Sequence, residues 1–422
     1  MLQVSYLREN SDEAIEGLKK RGINAEQNIA DILNLDQQRR QAQNDLDHFL
    51  AEANKLSKAI GDLFKEGKRT EANVLKERTV ELKEKTRELQ TQEEQLRHAL
   101  DELLVQLPNV PLAIVPAGKS AEDNVEVAHF GEIKELEEDA KPHWDIAEEK
   151  QLIRFDLGVK ITGAGFPVYQ GKGARLQRAL INFFLDENRK AGYQEFQPPL
   201  FVNEASAYGT GQLPDKEGQM YHMPEDNLYA IPTAEVPITN LFRDEILELD
   251  QLPLKSTAHS ACFRREAGSY GKDVRGLNRL HQFDKVEIVC LSLPEKSMAI
   301  LDEMVVHIEG LLKKLDLPYR ILRLCGGDMG FTSAITYDFE VWSAAQKRWL
   351  EVSSVSNFQT FQSNRMKIRY RGEDKKTHLV HSLNGSALAL PRIVAALLEN
   401  HQAGGEVHIP EALQSYTGFK TI

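Results

Sequence analysis

Phe263-Arg264-Arg265-Glu266, then Gly268, Gly271 and Gly276, then Arg279-Leu280-His281-Gln282-Phe283 and on to Glu287, is the stretch that decides how this chain reads. It predicts a strand, a glycine-bearing loop and a second strand. Its arginines carry planar, permanently charged donor forks, so the segment is rich in anion-binding capacity. An isolated Arg-x-Glu is also what a surface salt bridge produces, and its meaning therefore depends on the rest of the chain.

A second such element lies near the C-terminus. Asn384-Gly385-Ser386-Ala387-Leu388-Ala389-Leu390-Pro391-Arg392 leads from a strand into an apolar helix through Ile393, Val394, Ala396, Leu397 and Leu398. Proline suits a first helical turn, which places Arg392 near the sheet. Between the two elements, Ile335, Tyr337, Phe339 and Val341 alternate with Thr336, Asp338 and Glu340, the period of a strand. Comparable strands are expected near Val286 to Leu291, Trp349 to Ser353 and His378 to Leu383. Strands without regular helical crossovers favour an antiparallel sheet, and the predicted class is α+β.

The N-terminal part has a different character. Asn10 with Glu13 reads as a capping box, and Gly22 as the stop of a short first helix. From about Asn28 to Leu107 there is no proline and a dense mixture of charged residues, glutamine and leucine. Leu46, Phe49, Ala53, Leu56, Ile60 and Leu63 form one narrow stripe, and Leu75, Leu82, Leu89, Leu96 and Leu103 recur every seven residues. Gly67, in Lys65-Glu66-Gly67-Lys68-Arg69, permits the reversal that faces the stripes together. The prediction is an antiparallel two-helix arm, each helix roughly 55 Å long at about 1.5 Å per residue. Lys55, Lys58, Lys65, Lys68, Arg69, Lys76 and Arg78 flank its tip, where a phosphate backbone could lie, although mixed charge also suits a solvated coiled-coil face.

Leu107-Pro108-Asn109-Val110-Pro111, with Pro116 and Gly118, ends the arm. The expected division is an N-terminal domain over 1–108, a linker over 109–116 and a catalytic domain over 117–422. A chain of 422 residues exceeds the roughly 250 to 300 that one core organises, so two domains are reasonable. No stretch approaches the roughly 20 apolar residues of a membrane helix, and the uncharged leader run of a secreted protein is absent from the first ten residues, so a soluble cytoplasmic protein is expected. Cys262, Cys290 and Cys325 are an odd, scattered set without a C-x-x-C pair, which argues against disulfides or thiolate zinc. The net charge of -12 argues against a broadly basic nucleic-acid face and confines any RNA contact to local patches.

Together with Pro198-Pro199 after a helix over roughly Gly173 to Ala191, the two elements resemble the three signature motifs of class II aminoacyl-tRNA synthetases. Gly209-Thr210-Gly211-Gln212-Leu213-Pro214, Thr233-Ala234-Glu235, Glu351-Val352-Ser353-Ser354 and Asn384-Gly385-Ser386 narrow the resemblance to bacterial-type seryl-tRNA synthetases, and the arm stands in the matching place. The match covers essentially the whole chain.

The resemblance implies ATP-dependent activation of L-serine, with Mg²⁺, and transfer to tRNA(Ser), with tRNA(Sec) a second candidate acceptor. It implies that Arg264 bridges the serine carboxylate and the α-phosphate, that Arg265 and Glu266 join the ATP site with Glu266 accepting from the adenine amino group, and that Phe283 stacks under the ring. The Leu280 backbone lines the pocket, and Arg392 clamps the γ-phosphate. Glu351, Val352, Ser353 and Ser354 complete the ATP site, Glu351 and Ser354 as Mg²⁺ ligands. Thr233, Ala234, Glu235, Glu287 and Ser386 receive serine. His259 and His281 are read as structural. The family further implies a homodimer whose arm grips tRNA by shape and backbone. A rival reading is an enzyme that activates a small amino acid for a carrier protein, which should have a reduced arm; another is a coiled-coil interaction protein with an inert globular part, which has no need of Arg264, Glu266, Glu351 and Arg392.

Overall fold

A computed structural model describes residues 1–133, 140–266 and 275–422. Gly268 and Gly271 of the predicted loop lie outside the described residues. The chain divides into two compact units, one of Met1–Lys19 with Ile23–Pro108, the other of Lys20–Gly22 with Asn109–Ile422.

In the first unit the expected short helix is Ser11–Lys19 (α2), and a further helix, Val4–Glu9 (α1), precedes it. Asn10 ends α1, its side-chain amide donating back to Tyr6 O at 3.2 Å instead of opening a capping box. Glu26–Lys65 (α3) and Arg69–Leu104 (α4) then form the antiparallel pair, reversing at Gly67 with φ +79°. The 3,4 periodicity explains their packing: Ala42, Leu46, Ala72, Leu82 and Leu100 are buried along the seam. Charged residues reinforce it, Arg39 reaching Glu93 at 3.7 Å and Arg78 reaching Glu52 at 3.6 Å across the hairpin. At its base Asp36, 1 % exposed, is held by Arg8, Arg39 and Arg40; burial opposes its ionisation, but these guanidinium groups more than offset that and keep its carboxyl below the usual range. Near the tip, Lys65 pairs with Asp62 and Lys68 with Glu66, so part of the positive charge expected there is neutralised locally.

The second unit is built on an eight-stranded sheet. Its strands are Val125–Phe130 (β1), Gln194–Glu195 (β2), Leu254–Phe263 (β3), Gln282–Ser292 (β4), Tyr319–Arg323 (β5), Ile335–Ser343 (β6), Arg348–Gln359 (β7) and His381–Ala389 (β8). They lie in the order β1-β5-β6-β7-β8-β4-β3-β2 and pair antiparallel, except that β2 runs parallel to β3. The predicted strand from His378 to Leu383 is broken at Val380. Thr377–Leu379 pairs with Arg369–Arg371 in a separate three-stranded sheet, and only from His381 does the chain join the main one.

Helices Gly171–Lys190 (α5), Ser297–Lys314 (α6) and Leu390–Asn400 (α7) bury their apolar faces against the sheet, with Phe183, Phe184, Leu301, Met304, Ile393 and Leu397 in one core. The segment expected as a linker is packed into this unit: the Asn109 amide donates to Thr332 O at 2.9 Å and Phe358 O at 2.8 Å. Lys20 and Arg21 belong here too, each donating to several main-chain carbonyls, which compensates for burying their charge.

Candidate active site

The central strands β4, β8 and β7 carry Phe283, Glu287, Ser386 and Glu351 to Ser354, Arg264 follows β3, Arg392 opens α7, and Thr233 and Ala234 lead into a short helix, Glu235–Asn240. On β4 the two-residue period turns Phe283, Lys285 and Glu287 to one face. Glu287 lies opposite Ala258 on β3 and Ser386 on β8. Just past the end of β3, Arg264 extends the ladder by donating its N–H to His281 O at 2.9 Å, and its guanidinium sits 5.3 Å from the Phe283 ring centre. A cation over an aromatic face is attracted by the ring quadrupole, and this contact holds the arginine at the sheet edge while leaving donors for a ligand.

One end of the site is a buried set of acceptors. Thr233 is 5 %, Glu235 7 %, Glu287 0 % and Ser386 8 % exposed. Thr233 Oγ1 donates to Glu287 Oε2 at 2.7 Å, and the Lys285 ammonium pairs with the same carboxylate. Asn384 Nδ2 donates to Glu235 Oε2 at 2.8 Å and to Glu287 Oε1 at 3.4 Å, and Gln362 Nε2 donates to Glu235 Oε1 at 2.7 Å. Burial, and then the charge of Glu287, push the Glu235 carboxyl up to about 7. Ala234 is fully buried and offers only its backbone.

The sign of this shift has consequences. The folded carboxyl keeps its proton to a higher pH than the unfolded one, so Glu235 contributes less to folding stability as pH rises from 4.5 through about 7. A bound ammonium reverses the preference by favouring the carboxylate. An amine ligand is therefore expected to bind more tightly as pH rises through about 7, and Glu235→Gln should flatten that profile. The KM of the amine substrate measured across this range checks it; an unchanged slope in Glu235→Gln would remove Glu235 from amine recognition.

At the other end, β6 and β7 run in register from Asp338↔Ser354 to Phe339↔Ser353 and then shift so that Glu340 faces Glu351. The extra residue is Val352, and the bulge brings Glu351 and Ser354, three apart, onto one face where Ser354 Oγ donates to Glu351 Oε1 at 3.3 Å. The side chain of Val352 enters the core, and the Ser353 hydroxyl donates to Ser386 O at 2.6 Å, so each offers the cleft its backbone. Asp338 lies opposite Ser354, with Oδ1 buried and lacking a hydrogen-bond partner. Burial and the neighbouring Glu351 charge raise its carboxyl well above the usual range. Arg392, in the first turn of α7, donates through Nη1 to Glu351 O at 2.6 Å and through Nε to Asn278 O at 3.2 Å.

Glu266, in left-handed backbone with φ +48°, accepts from Arg279 at 2.8 Å, a partner the sequence reading did not assign. Arg265 is exposed, and Leu280 is buried. His259 pairs with Asp284 at 2.7 Å, while His281 contacts Tyr221 Oη at 3.0 Å and stacks on Phe166. Sequence reasoning also missed Lys285, Gln362 and a role for Asn384. Only Lys285 carried a local signal, its spacing of two from Glu287 on a strand. Among the described residues no cluster of three or more His, Cys, Asp or Glu is arranged to hold a metal, and no helix is long and apolar enough to cross a membrane.

An antiparallel sheet with an arginine over an aromatic ring at one strand pair, and a second arginine at the start of the helix that follows β8, agrees with the class II synthetase resemblance of the sequence. Residues 220–401 match the family model of the class II tRNA synthetase core domain (G, H, P, S and T), and residues 1–111 match that of the seryl-tRNA synthetase N-terminal domain. The serine–tRNA ligase of Salinibacter ruber is 52 % identical over 424 residues, covering 100 % of this chain and 99 % of the relative. That of Chlorobaculum parvum is 45 % identical, with both chains covered in full. Among solved structures, seryl-tRNA synthetase from Pyrococcus horikoshii complexed with ATP superposes with a TM-score of 0.93 at 35 % identity, covering 100 % of this chain and 99 % of the other. The chain belongs to the seryl-tRNA synthetase family.

Proposed function

We propose that this protein couples L-serine to ATP, forming seryl-adenylate and pyrophosphate, and transfers the seryl group to tRNA(Ser). The carrying observation is the buried acceptor set of Thr233, Glu235 and Glu287, whose Glu287 lies on β4 with Phe283, the ring under the Arg264 guanidinium. The relatives named above are serine–tRNA ligases, and the Pyrococcus structure is of a complex with ATP.

Arg264 would hold the serine carboxylate and the α-phosphate together, lowering the entropic cost of the encounter. A carboxylate oxygen attacks the α-phosphorus, the bond to the β-phosphate oxygen breaks, and pyrophosphate leaves with Arg392 on its γ end. A terminal ribose hydroxyl of tRNA then attacks the seryl carbonyl, and AMP leaves. Phe283 and Glu266 would hold adenine, with Arg265 and the Leu280 backbone completing that half. The ammonium fits Glu235 and Glu287, while Thr233 and Ser386 address the substrate hydroxyl. Buried groups that pair with a hydroxyl reject alanine by about 10⁴-fold or more.

Glu351 and Ser354 would hold Mg²⁺, and the unpartnered Asp338 oxygen opposite makes this an oxygen-rich corner suited to it. Mg²⁺ usually takes one or two protein groups and fills the rest of its shell with phosphate and water, supplying charge neutralisation. Glu351→Gln is expected to raise the Mg²⁺ concentration for half-maximal exchange by about tenfold, the scale of a lost ligand or its support. Titration with Mg²⁺ at saturating ATP checks this.

The arm is read as the tRNA-binding element of a domain over 1–108, the globular part over 117–422 as catalytic, and the cytoplasm as the site of action. A homodimer belongs to the same reading, supported by Leu200 and Phe201, which are 36 % and 48 % exposed just after Pro198-Pro199. tRNA(Sec) is a second candidate acceptor. ATP–pyrophosphate exchange with each standard amino acid tests the whole; faster exchange with any amino acid than with serine would overturn the assignment. A carrier-protein acceptor is disfavoured by the full-length α3–α4 hairpin.

A further inference from the structure

His143 and Glu399 are both 0 % exposed and are not part of any motif discussed above. Glu399 lies on the last turn of α7 and collects donors on both oxygens. Oε1 accepts from His143 Nδ1 at 2.7 Å, His143 N at 3.1 Å and Gln346 at 3.3 Å, while Oε2 accepts from the Ser343 hydroxyl and from Ala345 N at 3.4 Å. A buried carboxylate supplied with this many donors is compensated and rigid.

The other side of the His143 ring faces the chain that returns from the glycine-bearing loop. Nε2 accepts the Leu277 N–H at 2.9 Å, so the ring proton sits on Nδ1, directed at Glu399. The fit leaves no room beside it: Gly276 has φ +66°, and a Cβ there would lie 2.3 Å from Nε2. The next residue, Asn278, donates its amide to Gln346 Oε1 at 3.0 Å and offers its carbonyl to Arg392 Nε at 3.2 Å. Arg392 and Glu399 are seven residues apart on α7, two helical turns, and therefore share a face. One helix thus carries the arginine at its start and, at its end, the carboxylate that orients the imidazole holding the Leu277–Asn278 turn, whose Asn278 carbonyl bonds that arginine.

We propose that His143, oriented by Glu399, is a positioning residue for the ATP half of the site: it fixes the Leu277–Asn278 backbone, which in turn sets the direction of Arg392. The inference rests on the ATP-dependent reading above. It predicts that loosening the imidazole is felt by ATP and pyrophosphate, and not by serine, whose acceptors lie on Thr233, Glu235 and Glu287.

His143→Asn separates this role from simple core integrity. The asparagine amide can replace Nδ1–H towards Glu399, but nothing replaces Nε2 as the acceptor for Leu277 N–H. Expected are a cooperative melt lowered by a few degrees at most, an ATP dissociation constant by calorimetry and an ATP KM in exchange both raised about tenfold, and a serine KM within about twofold. In an Arg392→Ala background the same substitution should add less than about twofold, since the residue acts through Arg392. Parental ATP affinity in His143→Asn, an equal rise of both KM values, or full additivity with Arg392→Ala would each overturn the proposal. If the parent itself bound no ATP, the functional reading would fail first, and calorimetry distinguishes that outcome.

Discussion

Arg264→Ala is expected to lower serine-dependent ATP–pyrophosphate exchange by about 10²- to 10³-fold or more while leaving the melting temperature nearly unchanged. Among the described residues the Arg264 side chain makes no ion pair; its contact is the Phe283 ring at 5.3 Å, and its backbone N–H bond to His281 O survives truncation. Removing it therefore costs the fold little. The reaction loses more. Serine brings a carboxylate that must approach a polyanionic phosphate, and without a cation between them the two repel at the distance where bond formation begins. A planar guanidinium can donate to both anions at once, which a point charge does less well. Arg264→Lys should accordingly restore only part of the activity. Exchange rates and thermal melts on the same preparations check both statements, and exchange that survives in Arg264→Ala would remove this residue from the centre of the mechanism.

The second large effect concerns the arm. Deleting about Asn28 to Leu104 and rejoining the chain is expected to leave serine-dependent exchange within a few-fold of the parent and to abolish tRNA charging. The hairpin is stabilised along its own seam, by Leu46, Ala72 and Leu82 and by ion pairs that it makes with itself, so its apolar stripe is buried within the hairpin. An acidic protein needs a local basic surface to hold a polyanion. Lys55, Lys58 and Arg69 near the reversal are exposed, whereas Lys65, Lys68 and Arg78 already have carboxylate partners. The tRNA contacts are thus expected to depend on the first group more than the second. Charging assays at two salt concentrations, with exchange as the control, separate the outcomes; parallel loss of exchange and charging would mean the arm is structural.

The hairpin was legible because helical periodicity is local: a residue's place on the stripe follows from its spacing alone, whatever it meets in three dimensions. The strand from Ile335 and the helix after Pro391 were legible for the same reason. The helix after Asn10 was legible, but the capping box was not, because Asn10 can bond backwards to Tyr6 as readily as forwards, and sequence does not say which carbonyl or N–H is nearer. The strand proposed through Val380 failed because one β-compatible run can change sheets where its neighbours change.

Sequence alone determined the antiparallel arm, the α+β character of the larger part and the residues that bear charge in the motifs, since each depends on side-chain chemistry at fixed short spacing. Tertiary structure decided how those charges are used. A strand repeat would send Glu351 and Ser354 to opposite faces; the bulge at Val352, created by pairing with β6, brings them together. Glu235 owes its raised pKa to burial and to Glu287, a residue 52 positions away, and its orientation to Asn384 and Gln362. His143 owes its tautomer to Leu277 and Glu399. Electrostatic environment and hydrogen-bond partnership depend on distance through space, and that distance is set only when the sheet closes around them.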